Sequence, residues 1–260
     1  MSVFIIAEIG INHDGINSKA RELIKLAQRS GVHAVKFQYR NLENAYSSQA
    51  KEIGDEILSK EINRSYLSPD ELLELSIFAK NLNLEVGISF FDEKDILDFG
   101  TDIKVFDFFK IPSVELTNSS LIDSLMKLNR HVYISLGAHD EKEIDLALSQ
   151  LSSKGCWTPM HCISNYPVNL QNARLGYISY LKEKWQCNVG YSSHDDDWEV
   201  CLLAMQLGVT VIERHITLDR YGDGLDHSSS STSDHFEKIS RFAYNLPKIL
   251  SGNSPRIPNQ

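Results

Sequence analysis

Eight short apolar runs, each followed by a segment with apolar residues at three- and four-residue spacing, constrain this chain more than any other feature. The runs occupy residues 4–9, 34–38, 85–89, 107–111, 132–136, 158–163, 188–192 and 209–215. Between them, helical stripes are carried by Ala20, Leu23, Ile24 and Ala27, by Leu72, Leu75, Phe78 and Ala79, by Leu121, Ser124, Leu125 and Leu128, and by Val200, Leu203, Ala204 and Leu207. Caps punctuate them. Asn17-Ser18 precedes the first helix, Ser68-Pro69-Asp70-Glu71 opens another, Gly31 ends the first and Gly208 a later one, and a last helix spans about 233–250. Strict alternation makes the strands parallel, because helical crossovers connect them. Eight repeats in 260 residues fit one closed (β/α)8 TIM barrel of the α/β class. An open doubly wound sheet is the alternative, but no G-x-G-x-x-G turn follows the first strand. The barrel is expected over residues 1–250, with 251–260 as a C-terminal tail.

Composition narrows the partners. A net charge of −9 opposes a nucleic-acid surface, since phosphate backbones demand a basic face. No basic leader and no apolar stretch of membrane-spanning length is present, so a cytoplasmic protein without membrane contact is expected. Cys156, Cys162, Cys187 and Cys201 form no C-x-x-C pair and read as buried reduced thiols. Two connections are long. Residues 39–67 are polar, show no clear helical stripe, and read as a lid or site wall. Residues 220–232, rich in Gly, Asp and Ser, read as a substrate loop in which Asp226 accepts hydrogen bonds from sugar-like hydroxyls.

Polar residues stand at nearly every strand end: Glu8, Lys36 and Gln38, Ser89, Lys110 with Ser113 and Glu115, Ser135, His161 with Ser164 and Tyr166, Ser192 and His194, Glu213 and His215. A charge inside an apolar strand is costly unless paired. The C-terminal mouth of a barrel, where active sites form, explains the whole set. A salt-bridge network plugging the barrel is the structural alternative. Lys36 and Lys110 converge on one mouth and suit a strong anion, with Ser89, Ser113, Ser135 and Ser192 donating to the same oxygens. His194 and His215 end neighbouring strands and can reach one metal ion, with Glu8, Glu115 and Asp226 completing or orienting the site.

These residues resemble a known family, the sialic acid (N-acetylneuraminate) synthases with their legionaminate and pseudaminate relatives. The matching segments are Ala7-Glu8-Ile9-Gly10-Ile11-Asn12-His13-Asp14-Gly15, Ala34-Val35-Lys36-Phe37-Gln38, Phe109-Lys110-Ile111-Pro112-Ser113, His161-Cys162 through Tyr166-Pro167, Gly190-Tyr191-Ser192-Ser193-His194, Val211-Ile212-Glu213-Arg214-His215 and Gly224-Leu225-Asp226-His227. The resemblance implies a barrel that condenses phosphoenolpyruvate with an N-acetylated amino-sugar aldehyde to a nine-carbon 2-keto acid and phosphate. It implies His194 and His215 as ligands of manganese or magnesium. Lys36, Ser89, Lys110, Ser113, Ser135, Ser164 and Ser192 would hold phosphoenolpyruvate. Glu8, Glu115 and Asp226 would act on the sugar or the attacking water, with Tyr166 beside the sugar; Glu115 is expected to activate water and Glu8 to handle protons.

The chain departs from the family pattern. Ser193 stands where Asp often precedes the first histidine, Leu225 replaces a common Pro, Ser89-Phe90-Phe91 replaces a Thr–Pro pattern, and Ser164 stands where Asn is frequent. Family members commonly add a small antifreeze-like domain, so residues 251–260 read as the start of a linker to that absent domain. Two other functions stay open: a metal-dependent aldolase using free pyruvate, and a barrel subunit inactive without a separate antifreeze-like partner. The expected partners are the small-molecule substrates, and homo-oligomerisation is left open.

Overall fold

A computed structural model of the chain describes residues 3–41, 53–151 and 156–251. All eight expected strands are present: β1 (Phe4–Gly10), β2 (Ala34–Gln38), β3 (Glu85–Ser89), β4 (Phe108–Ile111), β5 (His131–Ser135), β6 (Trp157–His161), β7 (Gly190–Ser193) and β8 (Val211–His215). They pair in parallel and close into a barrel in sequence order, with β8 returning to β1. The helices are α1 (Asn17–Arg29), α2 (Ile53–Arg64), α3 (Pro69–Asn81), α4 (Ser119–Met126), α5 (Glu141–Leu151), α6 (Gly176–Trp185), α7 (Val200–Gln206) and α8 (Ser233–Ile249). Helix α3 starts as its sequence dictates: the Ser68 hydroxyl accepts from the Glu71 amide, Glu71 answers onto the Ser68 amide, and Pro69 takes the first turn.

Four local expectations change. Segment 39–67, expected to lack a helix, contains α2 (Ile53–Arg64), whose sequence is mostly polar and so gives no clear stripe. Residue 16, not Asn17-Ser18, occupies the cap of α1, and no side chain caps it. Helix α7 buries Val200, Cys201, Ala204 and Met205, so Leu203 faces outward. Cys156 is exposed, while Cys162 and Cys201 are buried and all four thiols are free. The β3–β4 crossover also differs from its neighbours. It is a 3-10 segment, Glu93–Val105, interrupted at Gly100, where φ is 49° and ψ is −129°.

The main core lies between the strands' outer faces and the helices. A smaller apolar layer fills the barrel itself: Ile6, Ala34, Phe108, Met160 and Val211, with Phe4 and Tyr133. Gly87 faces this layer because the Phe108 ring takes its space; a Cβ there would sit 2.1 Å from a ring carbon. Side chains alternate across a strand, so residues two positions further along face the same interior. That step leads from Ile6 to Glu8, from Ala34 to Lys36, from Phe108 to Lys110, from Tyr133 to Ser135 and from Val211 to Glu213. The apolar floor therefore carries a polar storey directly above it. Among the described residues no helix is long and apolar enough to cross a membrane.

Candidate active site

The polar storey is built on one buried quartet of charges. Lys36 Nζ lies 2.5 Å from Glu8 Oε2 and donates to Ser89 Oγ at 2.6 Å. Lys110 Nζ donates to Glu213 Oε1 at 2.6 Å, and the same oxygen accepts from Ser192 Oγ at 2.9 Å. Glu213 Oε2 stands 3.8 Å from Lys36 Nζ and joins the two halves. Each of the four is at most 5% exposed. Glu213 stands at a strand end with no role legible from the sequence; its place between Lys36 of β2 and Lys110 of β4 depends on the sheet closing into a barrel.

The two carboxylates are driven apart in acidity. Burial lifts Glu8 above the ordinary carboxylate range against the pull of Lys36, and Glu213 adds to the rise. Burial also pushes Glu213 upward, but Lys110 and Lys36 outweigh it and hold that carboxyl well below its usual range. Glu8 is the member of the pair disposed to carry a proton, and Glu213 the one that stays ionised.

A cavity of about 520 Å³ opens at the mouth; no quartet residue lines it, and the link between them is Gln38 of its wall, whose Nε2 donates to Glu8 Oε1 at 3.0 Å. Gln38, Ser113, Ser164, Tyr166, His215 and Asp226 line it, with Tyr39, Arg40, Glu61, Ile62, Ser65, Tyr66 and Leu67 from segment 39–67. The site-wall expectation holds for those residues; positions 42–52 lie outside the described ones. Arg40 lies over the Phe91 ring at 3.4 Å. Helix α2 is fixed against two other mouth loops. Arg64 pairs with Asp14 and with Glu61, and Glu61 accepts from the Leu225 amide at 3.4 Å.

His194 and His215 face each other across one edge of the mouth, with ring centroids 5.6 Å apart. His194 Nδ1 lies 3.2 Å from the Ile163 carbonyl, so it carries the proton in that bond and leaves Nε2 bare. Burial and the neighbouring His215 lower the His194 pKa to about 3, so this imidazole is neutral near pH 7. His215 Nδ1 is buried without a hydrogen-bond partner among the described residues, and Asp226 Oδ2 lies 3.5 Å from it. Two imidazoles, one with a bare Nε2 and one with an unpartnered Nδ1, offer two nitrogen ligands to a divalent ion. Among the described residues no group of three or more His, Cys, Asp or Glu is placed to hold a metal ion, so the protein's offer here stops at the two imidazoles. Tyr166 packs on His194 with centroids 4.3 Å apart.

The remaining expected residues divide. Ser135 is buried in the polar storey. Ser113 Oγ sits 3.1 Å from Cys162 Sγ and accepts from the Gly137 amide at 3.3 Å. Ser164 is an exposed residue of the cavity wall. Glu115 is not brought in. It ends a short 3-10 turn after β4 and its carboxylate accepts from Asn118 Nδ2 at 2.9 Å; like the quartet, Ser89, Ser135, Ser192 and His194 it does not line the cavity, but unlike the quartet it pairs with none of the other expected residues. His161 turns outward, onto the Ala173 carbonyl at 2.8 Å.

A family model, the NeuB family, matches residues 23–254. This chain belongs to the NeuB family. The N,N'-diacetyllegionaminic acid synthase of Campylobacter jejuni is 34% identical over 238 residues, which is 87% of this chain and 71% of that protein. The N-acetylneuraminate-9-phosphate synthase of Homo sapiens is 31% identical over 98% of this chain and 73% of its own length. Among solved structures, the N-acetylneuraminic acid synthetase of Leptospira borgpetersenii, crystallised with citrate, superposes with a TM-score of 0.88 at 28% identity, over 100% of this chain and 88% of that one. The family expected from the resemblance and the (β/α)8 architecture expected from the eight repeats are thereby established.

Proposed function

We propose that this NeuB-family barrel condenses phosphoenolpyruvate with an N-acetylated amino-sugar aldehyde, of N-acetylmannosamine type, to give a nonulosonic acid and inorganic phosphate. The observation that carries this reading is the pair of buried lysines, Lys36 and Lys110, held by Glu8 and Glu213, with Glu8 accepting at 3.0 Å from Gln38 of the cavity wall and two facing imidazoles nearby. Phosphoenolpyruvate has a phosphate and a carboxylate, and the lysines are presented to such anions by Glu8, Glu213, Ser89 and Ser192. The quartet is neutral as it stands, so a multiply charged anion enters only with compensating positive charge. Glu8, already lifted by burial, takes up a proton, while Glu213 stays ionised and keeps Lys110 aimed.

In the reaction, C3 of the enol forms a bond to the aldehyde carbon, and the new alkoxide takes a proton, for which Glu8 is the assigned carrier. Water adds to C2 and gives one proton back to the Glu8 carboxylate; the tetrahedral species then breaks its C2–O bond to phosphate, which leaves with the bridging oxygen and the hydroxyl proton, so C2 keeps the water oxygen as its ketone. Lys36 and Lys110 stabilise the departing charge. His194 and His215, with Asp226 beside them, would hold a divalent ion, manganese or magnesium, which when bound polarises the aldehyde oxygen as a Lewis acid. Tyr166 and Asp226 stand at the cavity wall where the sugar would lie. The relatives' names, a legionaminic acid synthase and a neuraminate-9-phosphate synthase, support the class of product. The test is phosphate release from phosphoenolpyruvate with a panel of aldoses and divalent ions. Phosphate is expected only when an N-acetylated hexosamine is present. No phosphate with any aldose, together with retro-cleavage of a nonulosonic acid to pyruvate, would replace the reading with a pyruvate aldolase.

A further inference from the structure

Arg214 is the largest side chain sealed inside the protein, 1% exposed, and it takes no part in the charged floor of the site. It lies between Glu213 and His215, which face the barrel interior, so its own side chain turns outward. The three guanidinium nitrogens go to three anchors. Nε donates to Ser231 Oγ at 2.5 Å, Nη1 to Ser193 Oγ at 2.7 Å, and Nη2 to the Asp195 carbonyl at 2.8 Å. Ser193 and Asp195 are the residues on either side of His194. The Ser231 amide donates to the His215 carbonyl at 2.8 Å, and the adjacent Ser230 hydroxyl donates to the Asp226 carbonyl at 2.6 Å. One guanidinium thus fixes both flanks of the first imidazole and the loop that sets Asp226 beside the second.

A guanidinium stays protonated when buried, so its burial demands a counter-charge. Among the described residues Arg214 makes no direct ion pair. Asp195, 0% exposed, stands one hydroxyl away. Ser193 Oγ accepts from Arg214 and donates to Asp195 Oδ2 at 2.7 Å, and Tyr191 OH donates to the same oxygen at 2.5 Å.

We propose that the Arg214–Ser193–Asp195 relay is the positioning device that holds His194 and His215 in their facing geometry. Arg214 and Asp195 are positioning residues; neither lines the cavity. The inference rests on the reading of the two histidines as metal ligands, and the experiment separates the two. Ser193→Ala cuts the relay and leaves both charges in place. The double variant Ser193→Asp with Asp195→Asn moves the carboxylate onto the position that touches Nη1. The full chain is titrated with Mn²⁺ alone, followed by electron paramagnetic resonance, and the His194 Nδ1–H signal, held by the Ile163 carbonyl, is followed by NMR. Ser193→Ala is expected to weaken Mn²⁺ binding roughly 10- to 100-fold and to weaken or erase the His194 signal. The double variant is expected to regain wild-type affinity within about threefold, since the ion pair is then direct. Wild-type affinity and an intact His194 signal in Ser193→Ala would overturn the proposal. A folded double variant that still binds weakly would overturn it too, and this variant decides the matter if Ser193→Ala does not fold. If the wild-type chain takes up no Mn²⁺, the metal reading fails. The relay is then judged on the His194 signal, whose loss in Ser193→Ala supports it and whose persistence overturns it.

Discussion

Replacing Glu213 by Gln asks whether the buried quartet is an anion site or a plug. Gln is isosteric and keeps an oxygen that accepts from Lys110 and Ser192, which reach Glu213 at 2.6 and 2.9 Å. The change removes one negative charge and leaves Lys36 and Lys110 facing Glu8 alone. Breaking a buried ion pair by removing one partner costs about 3–5 kcal/mol, and the retained hydrogen bonds place this variant near the lower end. At roughly 2–4 °C per kcal/mol for a chain of this size, melting should fall by about 6–12 °C in anion-free buffer. An anion then restores the missing charge. Ligand at about 100 times its dissociation constant adds roughly 2.7 kcal/mol, so phosphate or phosphoenolpyruvate should return most of the loss and raise the variant's melting more than the wild type's. Differential scanning fluorimetry across a phosphate titration reads both numbers. A variant that melts within about 2 °C of wild type, or equal phosphate shifts in the two proteins, would refute the reasoning.

The same carboxyl sets an acid limb. Its pKa is depressed in the folded chain, so Glu213 contributes stability above its ordinary value of 4.5, and that contribution is lost as pH falls below it. Urea midpoints between pH 3 and pH 6 should fall toward acid in the wild type and fall less steeply in Glu213→Gln; parallel curves would exclude Glu213 as the source. Gly10→Ala should cost about 1 kcal/mol, because φ is +52°, yet should damage turnover more than stability. Its Cβ would press at 3.1–3.2 Å on Glu8 Oε1, His215 Cε1 and Gln38 Nε2, and wild-type turnover in the variant would show that this contact does not matter. His215→Ala should abolish the metal requirement for phosphate release together with most of the activity, and an unchanged requirement would remove His215 from the ligand set.

Much of the architecture was legible because it repeats. A two-residue period in the strands and a three-to-four-residue period in the helices are local properties, so eight strands, the Ser68 cap and the polar strand ends could all be read without a fold. Helix α2 escaped because its segment is mostly polar, so composition masked it. Leu203 was placed on the wrong face of α7 because spacing alone does not say which of two adjacent apolar stripes meets the barrel. Glu115 looked equivalent to Glu8 in type and position, but one turn past the strand end its carboxylate faces Asn118 instead of the cavity.

The sequence by itself determined which residues occupy the mouth of the barrel, since parity along a strand decides what faces inward. Pairing among them was left to the tertiary structure. Whether Lys110 meets Glu115 or Glu213, and whether Glu8 or Glu213 keeps its proton, depend on closure of the sheet between β8 and β1, on burial, and on contacts across more than 100 residues of chain. Charges separated so far in sequence carry no local signal of each other. Only the closed barrel sets them close enough, and dry enough, for one pair to fix the other.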